Sequence, residues 1–268
     1  MISTLLKSFT ILIKKPAMPI LAITGTILTM GLLMVLGPVI GEMIADVLFF
    51  GILPDTGAIA FPLHFIEMYP LGVGALFGII ATLFIISTLL SFFFSKYARD
   101  TAEKQASKGV AFGYMLGHIT KIIGLFLFFT FAWGLLLFIL WIMMLISLGP
   151  YALVGIIMLI YMLLLAYLWI KLSFAIPAMA IEGCSIREAL KKSWEFTGNN
   201  LLGVLTLFFF VMIVTALINN IGLSLFNLIY INEYVDALIF AIFSGFASAY
   251  TYAVFPMYYL KKEHNMEP

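Results

Sequence analysis

The chain has 268 residues, 64% of them hydrophobic and only 10% charged, with a formal net charge of +1 and a mean hydropathy of +1.16. A soluble domain is about 45–50% apolar and about 25% charged, and folding still leaves much of its surface in water. A water-soluble globule is therefore excluded and the bilayer is the solvent; nothing in so small a net charge points to nucleic acid, and no such partner is expected.

Residues 1–16 read as an amphipathic helix lying at the membrane surface. Ile2, Leu5, Leu6, Phe9 and Ile13 form an apolar face, Lys7 and Lys14 a basic one, and Pro16 marks an elbow. A helix needs about 20 apolar residues to cross about 30 Å of hydrocarbon. The first span runs from about Ala17 to Ile40. It is longer than the roughly 7–15-residue apolar core of a signal peptide, so it is expected to remain in the mature protein. The outer loop 41–70 is apolar, and its Pro54, Pro62 and Pro70 argue against one long straight helix. It is expected to fold onto the bundle or to sit in the outer headgroup layer. Were the first span to continue past Gly41, Glu42 and Asp46 would share a face. The pair then reads either as a cation or proton site or as solvated acids at a helix end. His64 and Glu67, three apart, carry the same two readings.

The second span covers about Leu71 to Phe94. A fainter surface helix follows, with Phe112, Met115, Leu116 and Ile119 ahead of Lys121. The third span, about Ile122 to Leu148, is broken by Gly149-Pro150 from the fourth, about Tyr151 to Phe174. Lys171 lies near the inner end of the fourth and can snorkel to the interface. The clearest surface helix is 185–197. Ser185 and Glu188 have capping-box spacing. Ile186, Ala189, Leu190, Ser193, Trp194 and Thr197 share one face; Arg187, Glu188, Lys191, Lys192 and Glu195 share the other. Gly198, Asn199 and Asn200 supply a stop. Aligning Lys7-Ser8-Phe9 with Lys192-Ser193-Trp194 makes the two surface helices copies of one unit.

The fifth span runs from about Leu201 to Ile221 and the sixth from about Ala237 to Leu260. Ala237, Ala241, Gly245, Ala249 and Ala253 recur in the sixth at i+4 spacing, beside Ser244 and Ser248. Small-residue stripes let helices approach closely, here within the bundle or in a homodimer. Gly74 and Gly78 give the second span a shorter version. Asn219, Asn220, Asn227 and Asn232 read as caps and loop at the outer ends of the last two spans.

Orientation follows from the positive charges. All fourteen Lys and Arg fall in or beside segments 1–16, 95–121, 175–200 and 261–268, whereas the alternate segments hold only Glu42, Asp46, Asp55, Glu67, Glu233 and Asp236. Both termini are therefore expected on the cytoplasmic side of a multi-pass cell-membrane protein. The predicted fold is all-α: one transmembrane domain over 1–268, with six spans as three hairpins, each introduced by a cytoplasmic interfacial helix. The units cover about 1–94, 95–174 and 175–268.

Little in the sequence announces chemistry. No HExxH, GxSxG or Walker loop is present. Cys184 is alone, His64, His118 and His264 sit on separate segments, and neither a metal nor a cofactor is expected. Arg187, Lys191 and Lys192 could hold a lipid phosphate, at about 1 kcal/mol per cation near an anionic leaflet, or serve as generic positive-inside anchors. Trp194 is an interfacial aromatic under either reading.

The stretch from Pro177 to Trp194, running on into Gly198-Asn199-Asn200, resembles the elbow of the membrane domain of glycerophosphoryl diester phosphodiesterases and of related six-span prokaryotic membrane proteins. The matching positions are Glu182, Gly183, Ala189, Leu190 and Ser193. In those phosphodiesterases a separate soluble domain does the catalysis. The resemblance thus implies the membrane module without the enzyme, and tilts function toward the envelope or lipids. The leading expectation is a non-enzymatic membrane protein with a structural, partner-binding or lipid-interacting role. Its partners would be membrane lipids, another membrane protein or a second copy. The alternative is a transporter or lipid-translocating protein with a cavity between hairpins and Glu42 and Asp46 near its mouth; an intramembrane enzyme is a third.

Overall fold

The structure, a computed structural model, describes residues 2–49, 70–103, 113–114, 116–125, 127–128, 151–228 and 232–264. Helices α1 (Ile2–Lys14), α2 (Ala17–Phe49), α3 (Pro70–Ala102), α4 (Tyr151–Leu172), α5 (Ala175–Glu182), α6 (Ile186–Asn199), α7 (Leu201–Leu228) and α8 (Glu233–Glu263) succeed one another, with no strand among the described residues. A further helical stretch covers 119–125. Among the described residues five segments are long and apolar enough to cross a membrane: Ala17–Glu42, Gly78–Ala102, Leu159–Glu182, Leu201–Leu225 and Val235–Glu263. The remaining predicted span, 122–148, lies beyond residue 128 outside the described residues, as do His64, Glu67 and most of the loop 41–70. That loop starts later than expected, because α2 continues through Pro38 and Gly41 to Phe49. At about 1.5 Å per residue its 33 residues reach about 50 Å, well beyond the hydrocarbon layer.

The chain divides into two compact units, Thr29–Phe84 with Phe126–Ala166, and Met1–Leu28 with Ile85–Leu125 and Tyr167–Pro268. This grouping cuts across the three units read from sequence. In the first, Ile40 and Ile79 are buried, with Leu32, Leu36 and Ala75 packed on them. The Leu32–Leu36–Ile40 row recurs every four residues, so one stripe of α2 is used. Ile156, Leu159, Ile160, Met162 and Leu163 of α4 are exposed, as apolar side chains facing lipid tails should be.

In the second unit each surface segment packs on the end of a span. Tyr114 stacks on Phe92 of α3, with centroids 5.7 Å apart. Helix α6 packs on α5 and α1 on α8. Ser8 and Ser193, equivalent in the sequence alignment, are both fully buried, and each is followed by an exposed aromatic, Phe9 or Trp194. Ser8 Oγ donates to the Thr4 carbonyl at 2.8 Å and lies 3.1 Å from Met257 Sδ of α8. Phe9 meets Phe246 and Tyr250 edge-on. The middle copy is described only from residue 113 onward, leaving Phe112 and Met115 outside.

One expectation for α1 is corrected. Its protein-facing row is Thr4, Ser8 and Leu12, all buried, whereas Leu6 and Ile13 of the predicted apolar face are each 64% exposed. Small side chains admit α8 closely, which leaves the large ones for lipid. Gly198 also differs from its predicted role as a stop: it stays helical within α6, and Asn200 is the C-cap.

Ala241, Gly245, Ala249 and Ala253 of α8 are buried, and a Cβ at Gly245 would lie 2.5 Å from the Cα of Ile23 in α2. Backbone cannot give way as a flexible side chain does. Gly245→Val is expected to destabilise the folded protein by at least the 1–3 kcal/mol typical of overpacking. Gly31→Val, where a Cβ meets nothing within 4 Å, should stay near wild type. Denaturant titration of the purified protein in detergent micelles checks the difference; equal stabilities would contradict this packing.

Candidate functional site

The most polar constellation among the described residues begins at a helix break. Helix α4 ends at Leu172, and α5 restarts at Ala175. Pro177 explains the position. It has no N–H for the carbonyl of Ser173, and its ring would crowd that carbonyl in an unbroken helix. Restarting at Ala175 puts Pro177 in a first turn, where no donor is required. Ser193 of α6 mends the gap: its Oγ accepts from Phe174 N at 3.1 Å and donates to the Lys171 carbonyl at 2.7 Å. Phe174 is fully buried against Phe196, Phe255 and Tyr259, at 4.7, 5.5 and 6.2 Å between centroids.

Helix α5 ends at Glu182 because Gly183 takes φ 69°, and Gly183 N–H donates to the Met179 carbonyl. A side chain would strain this left-handed cap. Two residues on, Ser185 caps α6 in the predicted capping box: Glu188 N donates to Ser185 Oγ at 3.4 Å and Ser185 N to Glu188 Oε2 at 2.9 Å.

Between these caps the elbow 181–184 collects polar groups from several segments. Arg99 of α3 donates to the Ile181 carbonyl, and Lys121 Nζ to the carbonyls of Gly183 and Cys184 at 3.1 and 3.3 Å. Glu182, with its side chain 13% exposed, accepts from Tyr259 Oη of α8 at 2.6 Å and from Lys192 Nζ of α6. His264 Nε2 lies 3.4 Å from the same carboxylate. Arg99 also pairs with Glu103 at 2.7 Å. A half-buried carboxylate and freed carbonyls need such donors, and charge-assisted bonds are the stronger kind. Arg99, Glu103, Ile181, Glu182, Leu260 and His264 line a cleft of about 200 Å³.

The electrostatics match this geometry. The hydrogen bond that Lys192 donates to Glu182 holds its ammonium above its ordinary pKa. Bonds from Ser185, its backbone N–H foremost, hold the Glu188 carboxyl below its own. Burial, with Glu182 nearby, raises the Cys184 thiol, which therefore stays protonated and is a poor nucleophile.

The basic residues expected on α6 separate. Arg187 is exposed, and Lys191 lies 3.8 Å from Glu195, both well exposed. Lys192 instead turns to Glu182. Trp194 is exposed, sits edge-on to Tyr167 and covers the Lys171 ammonium at 4.9 Å. Glu42 is exposed and shares the continuous helix α2 with Asp46, whose side chain is outside the description. Asp236 of α8 is buried, with no hydrogen-bond partner among the described residues for either carboxylate oxygen. No group of His, Cys, Asp and Glu among the described residues is arranged to hold a metal ion.

In the sequence Glu182 stands out through the family pattern alone, and His264 only as a histidine on a segment separate from the other two. Nothing there marks Arg99, Lys121 and Tyr259 as elbow partners, because their contacts join segments far apart in the chain. Only the Arg99–Glu103 spacing was locally visible.

Residues 149–264 match the family model described as the membrane domain of glycerophosphoryl diester phosphodiesterase. The match takes in Glu182 with Lys192, Tyr259 and His264, but neither Arg99 nor Lys121. No curated protein and no solved structure matches the chain. With its long apolar helices, the chain is a multi-pass integral membrane protein.

Because the pKa of Lys192 is raised in the fold, its bond to Glu182 contributes fully below the usual lysine range and is lost as pH rises through the raised value. The stability gap between wild type and Lys192→Met should therefore hold from about pH 7 to 9 and close as pH rises through the raised lysine value. Thermal unfolding in detergent at each pH measures it; a gap independent of pH would count against the pairing.

Proposed function

We propose that the protein is a non-enzymatic membrane module whose helix α6 engages anionic phospholipid headgroups on the cytoplasmic leaflet. The observation that carries this reading is the division of labour on α6. Ala189, Ser193, Phe196 and Thr197 are buried against the protein and Lys192 is tied to Glu182. Arg187 and Lys191 face outward on the helix that also exposes Trp194. Tyr167 and Trp169, near the same end of α4, are exposed as well. Aromatic side chains of this kind gather at headgroup level, so the two cations have phosphate within reach. The match to a membrane domain over residues 149–264 is consistent with a module that acts at the bilayer.

Native mass spectrometry of the protein extracted from phosphatidylglycerol-containing nanodiscs tests the reading. Each cation near an anionic surface contributes about 1 kcal/mol. Arg187→Gln combined with Lys191→Gln should therefore lower retained phosphatidylglycerol about tenfold or more, with the helical circular dichroism unchanged. Retention equal to wild type would overturn the proposal.

A further inference from the structure

The cleft at the elbow differs from the outer face of α6. Three membrane-spanning segments end on it. Arg99 lies near the end of Gly78–Ala102, with Glu103 just past it. Ile181 and Glu182 close Leu159–Glu182. Leu260 lies near the end of Val235–Glu263, and His264 follows it. The cleft therefore opens where hydrocarbon gives way to headgroups. Its volume of about 200 Å³ corresponds to six or seven waters at about 30 Å³ each, room for a headgroup but not for an acyl chain.

Its charges are balanced. Arg99 faces Glu103, while Glu182 is matched from behind by Lys192. A site with no net charge attracts neither a simple anion nor a simple cation strongly, but it suits a ligand that carries both signs. Among the described residues, unused valences remain on each side. Arg99 bonds Glu103 through Nε and Ile181 through Nη1, leaving Nη2. Glu103 uses only Oε1, and Oε2 is left. His264 directs Nε2 toward Glu182, so Nδ1 is left. None of the six lining residues is Phe, Tyr or Trp, so the cage that recognises a quaternary ammonium is missing from the lining. Carboxylates suit an ammonium that still has N–H groups to donate.

We propose that this cleft binds a phosphate–primary-ammonium zwitterion, the headgroup chemistry of phosphatidylethanolamine. Arg99 and His264 take the phosphate, and Glu103 with Glu182 takes the ammonium. The site is independent of the outer face of α6, and the two are separable by experiment.

The protein is reconstituted in nanodiscs of equal parts phosphatidylethanolamine, phosphatidylcholine and phosphatidylglycerol, and its retained lipids are read by native mass spectrometry. Phosphatidylethanolamine should be retained at least tenfold over phosphatidylcholine. Glu103→Gln and His264→Gln should each reduce it about fivefold or more while leaving phosphatidylglycerol retention at wild-type level. The pair Arg187→Gln and Lys191→Gln should do the reverse. Glu103 is solvent-accessible and its pair is local, four residues apart, so that variant is expected to fold; circular dichroism and the melting temperature check this, and His264→Gln supplies a second readout. Adding soluble phosphoethanolamine separates the sources. Displacement of the lipid at micromolar concentration assigns the same chemistry to a free ligand, whereas continued retention assigns it to the lipid. Equal retention of phosphatidylethanolamine and phosphatidylcholine, or wild-type retention by both cleft variants, would overturn the proposal.

Discussion

The structure depends on satisfying the polar groups that appear where a helix stops at the edge of a membrane. Inside hydrocarbon every backbone N–H and C=O must find a partner within the protein, and a continuous helix provides this automatically. The chain gives up that continuity twice within a dozen residues, at Ser173 and again at Gly183. Each interruption is mended by a side chain from another helix. Ser193 serves the first; Arg99 and Lys121 serve the carbonyls of the second. Removing one such donor leaves a poorly solvated acceptor, whose cost of about 1–3 kcal/mol exceeds the net value of an ordinary hydrogen bond.

Glu182 makes this repair a junction. Its carboxylate draws in Lys192 from α6, Tyr259 from α8 and His264 beyond the end of α8, so surface helix and last span are held by one group. The aromatic cluster beneath it, Phe174 with Phe196, Phe255 and Tyr259, supplies apolar burial around the same point. Elsewhere packing is undemanding: α4 leaves large apolar side chains exposed to lipid, and bilayer association rests on close approach at small residues such as Gly245. Specific chemistry therefore concentrates at the ends of the spans, where charge is tolerated.

How much of this was legible in the sequence follows from the range of each interaction. Hydropathy located both ends of α4 and the start of α7 closely, because apolar length is a local property, whereas α7 runs on past the predicted Ile221 to Leu228. The capping box of α6 was readable because Ser185 and Glu188 are three residues apart. The kinship of Ser8 and Ser193 was visible as a short alignment, although that both are buried required their neighbours Met257 and Phe174. The continuation of α2 past Gly41 to Phe49 stood in the sequence only as one alternative, because Gly41 and the acids after it read locally as a helix end. The elbow was the least legible. Arg99 and Ile181 are 82 residues apart and Glu182 and Tyr259 are 77 apart, and no spacing rule links them. The same reason hid the fate of Lys192, which in sequence looks like Arg187 and Lys191 but is turned inward by Glu182.

The measurement that tests this account most directly is amide hydrogen exchange on Glu182→Ala in nanodiscs. If the carboxylate is the junction, removing it leaves Lys192, Tyr259 and His264 without their shared acceptor. The backbone of α6 and the segment 259–264 should then lose protection together, by about tenfold or more for a coupling of about 1.4 kcal/mol, while α7 keeps its wild-type exchange. Wild-type protection in both α6 and 259–264 would contradict the account, since the elbow would then be held without the group on which it is argued to depend.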